Sequence, residues 1–368
     1  MNIPTPRPDT AARSWAHDAI ALLEQEATRS ADTHLLRLDF PGFPDIAFYF
    51  KDEASHPTGS LKHRLARSLY LYALCNGRLQ PGQTVVDASS GSTAISEAWF
   101  ARLLGLPFIA VMPACTAPQK ILDVQALGGQ CDLVEDPSQV HARAAQHAAE
   151  GACHLDQFGL AVQATDWRGN NNIAESILGQ LRREPQPVPR WIVCGAGTGG
   201  TSATIGRYLR YRRLDTLLCV AEPAGSGYVH GWRARDRNAV ASRPTLIEGI
   251  GRPRVEPGFL FEVVDAVAEV DDAASIAAAL LLEDQLGTRY GGSSGTNFVA
   301  CLQLATAMRA RGEAGSIVTL LCDRGKRYQQ TLFDSAWRSA HGLDIAPWQH
   351  ALGNALATGT FTPPDGSS

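Results

Sequence analysis

Short apolar runs rich in β-branched residues recur along this chain with helical stretches between them, and this alternation restricts the fold more than any other feature of the sequence. The runs "TVVDAS" (residues 84–89), "PFIAVMP" (107–113) and "CDLVED" (131–136) are followed later by "RWIVCGAG", "LLCVAEP", "DAVAEV" and "SIVTLLCD". Stretches with helical spacing, such as "TAISEAWFARLLG" and "PQKILDVQALGG", lie between most of them. Strands alternating with helices predict parallel sheets with crossover helices packed on them. Near-continuous apolar strands suit sheets covered on both faces. The units fall into two groups, one before about His154 and one after, and 368 residues suffice for two domains with sizeable cores. The proline-rich "REPQPVPR" (183–190) reads as a connector between a helix and a strand, because the alternation resumes at once. The polar end, "TGTFTPPDGSS", is expected to fray.

Composition narrows the function classes. Hydrophobic residues make up 45% and charged residues 19%, an ordinary globular balance. A net charge of −4 without long basic runs argues against nucleic-acid or membrane-surface partners. The arginines at 207, 210, 212 and 213 read as a solvated helix end. No apolar run approaches membrane-spanning length, and "MNIPTPRPDT" lacks the apolar core of a secretory signal. The eight cysteines include no C-x-x-C pair, and Cys194, Cys219 and Cys322 lie in apolar runs as small hydrophobes. A cytoplasmic setting is therefore expected. Cys153 beside His154 resembles half a metal site, but no second pair lies nearby, so no metal is expected.

Three loops rich in Gly, Ser and Thr stand out. "DASSGSTAISEA" leaves a strand at Ala88 and enters a helix near Thr93. Its hydroxyls and the unpaired N–H groups of a helix start make an anion site suited to a substrate carboxylate. "CGAGTGGTSATIGRYL" carries Gly195-x-Gly197-x-x-Gly200 between a strand and a helix. That spacing matches a dinucleotide fingerprint, with Glu222 placed where a ribose-binding acid belongs, so a nicotinamide dehydrogenase is a rival reading. The same geometry cradles any phosphate through Gly197, Thr198, Gly199, Gly200 and Thr201. "YGGSSGTN" (290–297), between two helical segments, offers Ser293 or Ser294 as one hydrogen-bond partner to a ligand.

One lysine, Lys62, sits among small residues in "HPTGSLKHRL". A lysine, a phosphate cradle and an amino-acid carboxylate loop together describe pyridoxal 5′-phosphate chemistry, in which the lysine holds the aldehyde as a Schiff base. His63 reads as a helix-surface residue or a group supporting the lysine. Trp167 reads as core; in the alternative, Trp167 and Arg168 line the entrance.

From about residue 45 to 340 the chain resembles the cysteine synthase and cystathionine β-synthase group of pyridoxal phosphate enzymes, known as fold type II. The family's Pro-x-Gly-Ser-x-Lys-x-Arg pattern matches "PTGSLKHR" at Lys62, and its Gly-Thr-Gly-Gly-Thr phosphate loop matches residues 197–201. Its pyridine-nitrogen serine falls on Ser293, its substrate-side glutamine on Gln157, and its Gly-Ile-Gly loop on Gly249, Ile250 and Gly251. The family's Thr-Ser-Gly-Asn-Thr-Gly loop reads Ser89, Ser90, Gly91, Ser92, Thr93, Ala94 here, so a serine replaces the asparagine that holds the cofactor's ring oxygen. "GIGRP" places Arg252 beside the active-site loop, as a candidate substrate-facing cation. The Ser-Ser-Gly-Ser-Thr loop, "ATDWRGNNNIAESI" and "CDRGKRYQQT" are most similar to a bacterial L-cysteine desulfhydrase subgroup.

This resemblance implies an α/β architecture of two three-layer α/β/α domains with mostly parallel sheets and the cofactor in the cleft between them. A smaller domain, 51–160, would carry the lysine and carboxylate loop. A larger one, 1–50 with 161–345, would carry the phosphate and pyridine contacts, and 346–368 would be a tail. Lys62 would hold the cofactor and take the substrate's α-proton, which needs burial or nearby positive charge to lower an amine from about 10.4. Ser92, residues 197–201 and Ser293 would bind cofactor. Ser89, Ser90, Gly91, Ser92, Thr93, Gln157, Gly249 and Arg252 would face substrate. The implied reaction is β-elimination from L-cysteine, giving hydrogen sulfide, pyruvate and ammonia. The alternatives are cysteine synthase, which captures the same aminoacrylate with sulfide, and an amino-acid-binding regulatory pseudo-enzyme. A homodimer is also implied.

Overall fold

Strand Ile46–Asp52 shows why the larger sheet is covered on both sides: Phe48 and Phe50 point into one apolar layer and Tyr49 into the other, because side chains alternate along a strand. Ile317 and Leu321 against Val318 and Leu320 repeat the pattern on the neighbouring strand. The computed structural model describes residues 10–29, 31–169 and 172–364.

In chain order the elements are α1 (Thr10–Thr28), β1 (His34–Leu38), β2 (Ile46–Asp52), α2 (Lys62–Cys75), β3 (Val85–Ala88), α3 (Ser92–Leu103), β4 (Phe108–Pro113), α4 (Pro118–Ala126), β5 (Gln130–Val134), α5 (Val140–Ala149), β6 (Cys153–His154) and α6 (Gln157–Ala164). They continue with α7 (Ile173–Leu181), β7 (Trp191–Cys194), α8 (Gly200–Arg212), β8 (Leu217–Pro223), α9 (Gly227–Ala234), β9 (Ala266–Val270), α10 (Asp272–Leu286), α11 (Gly292–Ala310), β10 (Gly315–Leu321), α12 (Ser335–Ala340) and α13 (Ala346–Thr358).

The described residues divide into two compact units, one of those up to Ala31 with Lys62–Leu160, the other of Asp32–Leu61 with those from Ala161 on. The first holds a four-stranded parallel sheet in the order β5-β4-β3-β6. Helix α5 lays Val140 and Ala144 over Val86, Ala88 and Val111. The second holds a six-stranded sheet in the order β1-β2-β10-β7-β8-β9, parallel throughout except that β1 pairs antiparallel with β2. Helices α10, α11 and α13 cover one face, and α7, α8 and α9 the other.

The boundaries differ from the sequence expectation at three places. Helix α1 belongs to the smaller unit, where Ala19 and Leu23 are buried and Glu26 meets His63 at 3.1 Å. Residues 51–61 belong to the larger unit, because β2 is an inner strand of its sheet, in register with β10 from Ile46↔Gly315 to Asp52↔Leu321. The segment expected as a tail contains α13, whose Leu352 and Ala355 are fully buried against the α10 side of the core. Among the described residues no helix is long and apolar enough to cross a membrane, and no three His, Cys, Asp or Glu side chains are grouped to hold a metal. Residues 1–9, Ser30, Asn170 and Asn171 of the "TDWRGNNNIAES" segment, and 365–368 lie outside the described residues.

Candidate active site

In the smaller unit, Lys62 is the first residue of α2, three positions after Gly59, whose φ of +71° is the left-handed conformation that glycine tolerates. The next residue corrects the sequence reading. His63 is 2% exposed, is held by Glu26 of α1 and packs on the Phe100 ring at 4.7 Å. It anchors the start of the lysine helix and does not lie on its surface.

The carboxylate loop enters α3 with Gly91 as its N-cap and Ser92 as the first helical residue. Ser89 Oγ accepts from the backbone N–H groups of Gly91 (3.4 Å) and Ala94 (3.2 Å), which shapes the turn. Thr93 Oγ1 donates to Gln157 Oε1 at 2.7 Å, and Gln157 Nε2 donates to Ala88 O at 3.1 Å. The structure therefore brings Thr93 and Gln157 together at the end of β3. Asp156, just before Gln157, adopts φ +51°, a left-handed conformation that Asp tolerates better than most residues. Its carboxylate caps the following turn by accepting from Gly159 N at 3.0 Å. Replacing Thr93 by valine leaves Gln157 Oε1 without that donor, and urea unfolding is expected to register a loss of about 1–3 kcal/mol.

In the larger unit, β7 runs into the glycine turn and α8 leaves it. Gly199, the N-cap, has φ +81°, and a Cβ there would overlap the backbone of Gly258. The turn is backed by Tyr228, whose hydroxyl donates to Gly197 O at 2.6 Å and whose ring stacks on Phe259 at 4.1 Å. Thr198 Oγ1 accepts from Gly200 N at 3.3 Å, and Thr201 occupies the second position of α8.

Glu222 is fully buried, with Oε1 accepting from Ala196 N (2.8 Å) and Oε2 from Ser226 Oγ (2.8 Å) and Gly251 N (3.1 Å). Both oxygens are engaged in joining the glycine turn to the 249–251 loop, so Glu222 is not presented to a ribose. Burial raises its carboxyl to about 8, opposed by the three hydrogen bonds and Arg252. Gly249 has φ +88° with open space at its Cβ position. Arg252 is ion-paired to the buried Glu256 at 2.9 Å. Ser293 and Ser294 lie within the first turn of α11, not in a loop. Ser294 Oγ accepts from Cys322 N at 2.9 Å, whereas Ser293 Oγ has no partner among the described residues. Trp167 is half-buried, edge-on to Tyr211 at 5.7 Å, and so is not a core residue.

Comparison with known proteins agrees with these features. Residues 29–323 match the family described as PALP, pyridoxal-phosphate dependent enzyme. L-cysteine desulfhydrase Cds1 of Mycobacterium tuberculosis (strain H37Ra) is 56% identical over 340 residues, 91% of this chain and 92% of that protein. A putative cysteine synthase of Sinorhizobium fredii is 31% identical, covering 84% of this chain and 90% of its own. The crystal structure of a hydrogen sulfide-producing enzyme from Fusobacterium nucleatum superposes with a TM-score of 0.75, at 24% identity, over 86% of this chain and 93% of the other. This chain belongs to the pyridoxal-phosphate dependent enzyme family, and its cofactor is pyridoxal 5′-phosphate. The nicotinamide reading is thereby set aside.

The residues present fit that cofactor. A glycine turn with no room for a Cβ at Gly199 opens the first N–H groups of α8 to an anion, and a buried serine hydroxyl on α11 has no partner among the described residues. Two acids at the smaller unit's heart, Asp87 and Glu97, escaped the sequence reading. Their signal was there, since each interrupts an otherwise apolar run, "TVVDAS" and "AISEAWFA".

Proposed function

We propose that this chain is a pyridoxal-phosphate dependent L-cysteine desulfhydrase. The observation that carries the reading is the 56% identity, across more than nine-tenths of both chains, to a protein of that name. The reaction converts L-cysteine and water into hydrogen sulfide, pyruvate and ammonia, breaking the Cα–H and Cβ–S bonds in the elimination and the Cα–N bond when water hydrolyses the product imine.

Lys62 Nζ would be the group that holds the cofactor, and its amine would take the substrate's α-proton and deliver a proton to the departing sulfur. Residues 197–201 bind the phosphate at the start of α8. Ser293 Oγ would serve as the neutral hydrogen-bond partner of the pyridine nitrogen. The turn at 89–93 receives the substrate carboxylate, with Gln157 held in place by Thr93. Ser92 would be the residue on the side of the cofactor's ring oxygen, and Gly249, with no side chain, would leave room for substrate. Arg252 acts from the adjoining loop while paired to Glu256. The bound cofactor supplies an electron sink for the α-carbanion. The smaller unit thus presents the lysine and carboxylate loop, and the larger presents the phosphate and pyridine contacts. We extend the reading to a cytoplasmic homodimer.

The test is product analysis on the purified holoenzyme. Sulfide and pyruvate in equal amounts from L-cysteine support the proposal. Cysteine formed from O-acetylserine and sulfide, with no pyruvate from cysteine, would favour the synthase reading that the Sinorhizobium relative supports. Neither product would leave an amino-acid-binding regulator.

A further inference from the structure

The smaller unit buries two carboxyl groups that the proposed chemistry does not use. Asp87 on β3 and Glu97 on α3 are 1% and 0% exposed. Asp87 is surrounded by donors. Its Oδ1 accepts from Ala88 N at 2.8 Å and meets His154 Nε2 at 3.2 Å, while Oδ2 accepts from Gln157 N at 3.2 Å. Glu97 differs: as a carboxylate, neither of its oxygens would have a hydrogen-bond partner among the described residues. Yet its carboxyl lies close enough to Asp87 for a side-chain hydrogen bond, which two carboxylates cannot make and an acid with a carboxylate can. Two carboxylates packed together without water are strongly disfavoured, and one added proton removes the conflict.

We propose that Asp87 and Glu97 share one proton, carried by Glu97 and donated to Asp87, and that this neutral acid is a positioning device for the substrate-carboxylate loop. Asp87 holds the backbone of Gln157, and Gln157 holds Thr93. The proton therefore keeps a second negative charge away from a loop built to receive an anion. The groups acting on the pair come from each element around it. Lys62 on α2 acts on Glu97 by its charge, and Tyr70 on α2 donates to Glu97 O at 2.9 Å. His154 on β6 bonds Asp87, and Cys153 beside it acts on Tyr70. Arg78 and Asp156 act on His154. Burial, then Asp87, hold the Glu97 proton well above the ordinary value of 4.5, with Lys62 opposing. Burial is the largest influence on His154 and disfavours its imidazolium, but the bond to Asp87 and the charges of Asp87 and Asp156 together outweigh it and raise that group.

The sign of the pH effect follows. The folded protein keeps a proton that the unfolded chain releases above 4.5, so this group's stabilising contribution is complete below that value and is lost as pH rises toward the folded value. Glu97→Gln keeps a donor to Asp87 and cannot ionise. Its Tm relative to the parent holoenzyme is expected to climb steadily from pH 5 to pH 9, and a difference that stays constant overturns the proposal.

Infrared spectroscopy reads the proton directly. The parent-minus-variant spectrum at neutral pH is expected to contain the carbonyl stretch of an un-ionised acid, shifted when the parent is labelled with 13C-glutamate. Glu222, raised to about 8, supplies a similar band in parent and variant alike, so the assignment rests on the difference, taken against Glu97→Leu should Glu97→Gln not fold, and absence of a label-sensitive band from that difference overturns the shared proton. The effect on ligand rests on the proposed carboxylate loop and has its own readout. With L-serine as a thiol-free probe, the parent's Kd is expected to weaken about tenfold more than the variant's on going to alkaline pH, for a charge on the order of 10 Å away. Equal pH profiles alongside a positive infrared result would overturn the link to the loop and leave the proton standing.

Discussion

Lys62→Ala is expected to purify folded but without the visible absorption of lysine-bound pyridoxal, and to lose at least about 10³-fold in kcat/KM for L-cysteine. The expectation combines two roles in one nitrogen, attachment of the cofactor and removal of the α-proton. Lys62 begins α2, whose first turn is fixed by His63 against Glu26 and Phe100, so truncation beyond Cβ removes the amine without disturbing that anchorage. A variant that retained both the band and turnover would place the chemistry on another residue. Borohydride reduction of the parent followed by peptide mapping supplies the complementary result, a reduced pyridoxyl group on the peptide carrying residue 62.

The second large effect is expected in the glycine turn. Gly199→Ala must adopt φ +81° with a Cβ overlapping the Gly258 backbone. Left-handed strain of about 1–2 kcal/mol and overpacking of about 1–3 kcal/mol together give about 2–5 kcal/mol. Because the turn is also the proposed phosphate cradle, cofactor affinity should fall by about 30-fold or more. Titration of the variant with pyridoxal phosphate, followed by visible absorbance and by Tm with and without cofactor, measures both parts. Unchanged affinity with reduced Tm would move the phosphate elsewhere and leave Gly199 a purely structural glycine.

These effects fall on positions that could be read directly. The glycine turn, the hydroxyl-rich entry to α3 and Lys62 each carry their signal within a few consecutive residues, where backbone freedom and functional groups are local properties. The seven apolar runs named at the outset all became strands for the same reason. Less visible were pairings that join distant residues. The β1–β2 hairpin was missed because "HLLRL" and "IAFYFKD" are not punctuated like the later βα units. Helix α13 is hard to see in the sequence because its neighbours are polar, although Leu352 and Ala355 are fully buried. His63 was read from its place after a lysine, and its partner Glu26 is supplied by α1, which no local pattern links to α2. Asp87 and Glu97 gain meaning only when β3 and α3 lie together.

The sheet order of the larger unit bears on how this protein is made. Strand β2 is internal, yet the strand completing its other side, β10, is synthesised near the end of the chain, with Ile46 opposite Gly315. Until β10 emerges from the ribosome, the hairpin of Phe48, Phe50 and their neighbours has an unmatched backbone edge and an uncovered aromatic surface. Nascent chains stalled before residue 315 should therefore be chaperone clients and prone to aggregate, even with the smaller unit's sheet fully translated.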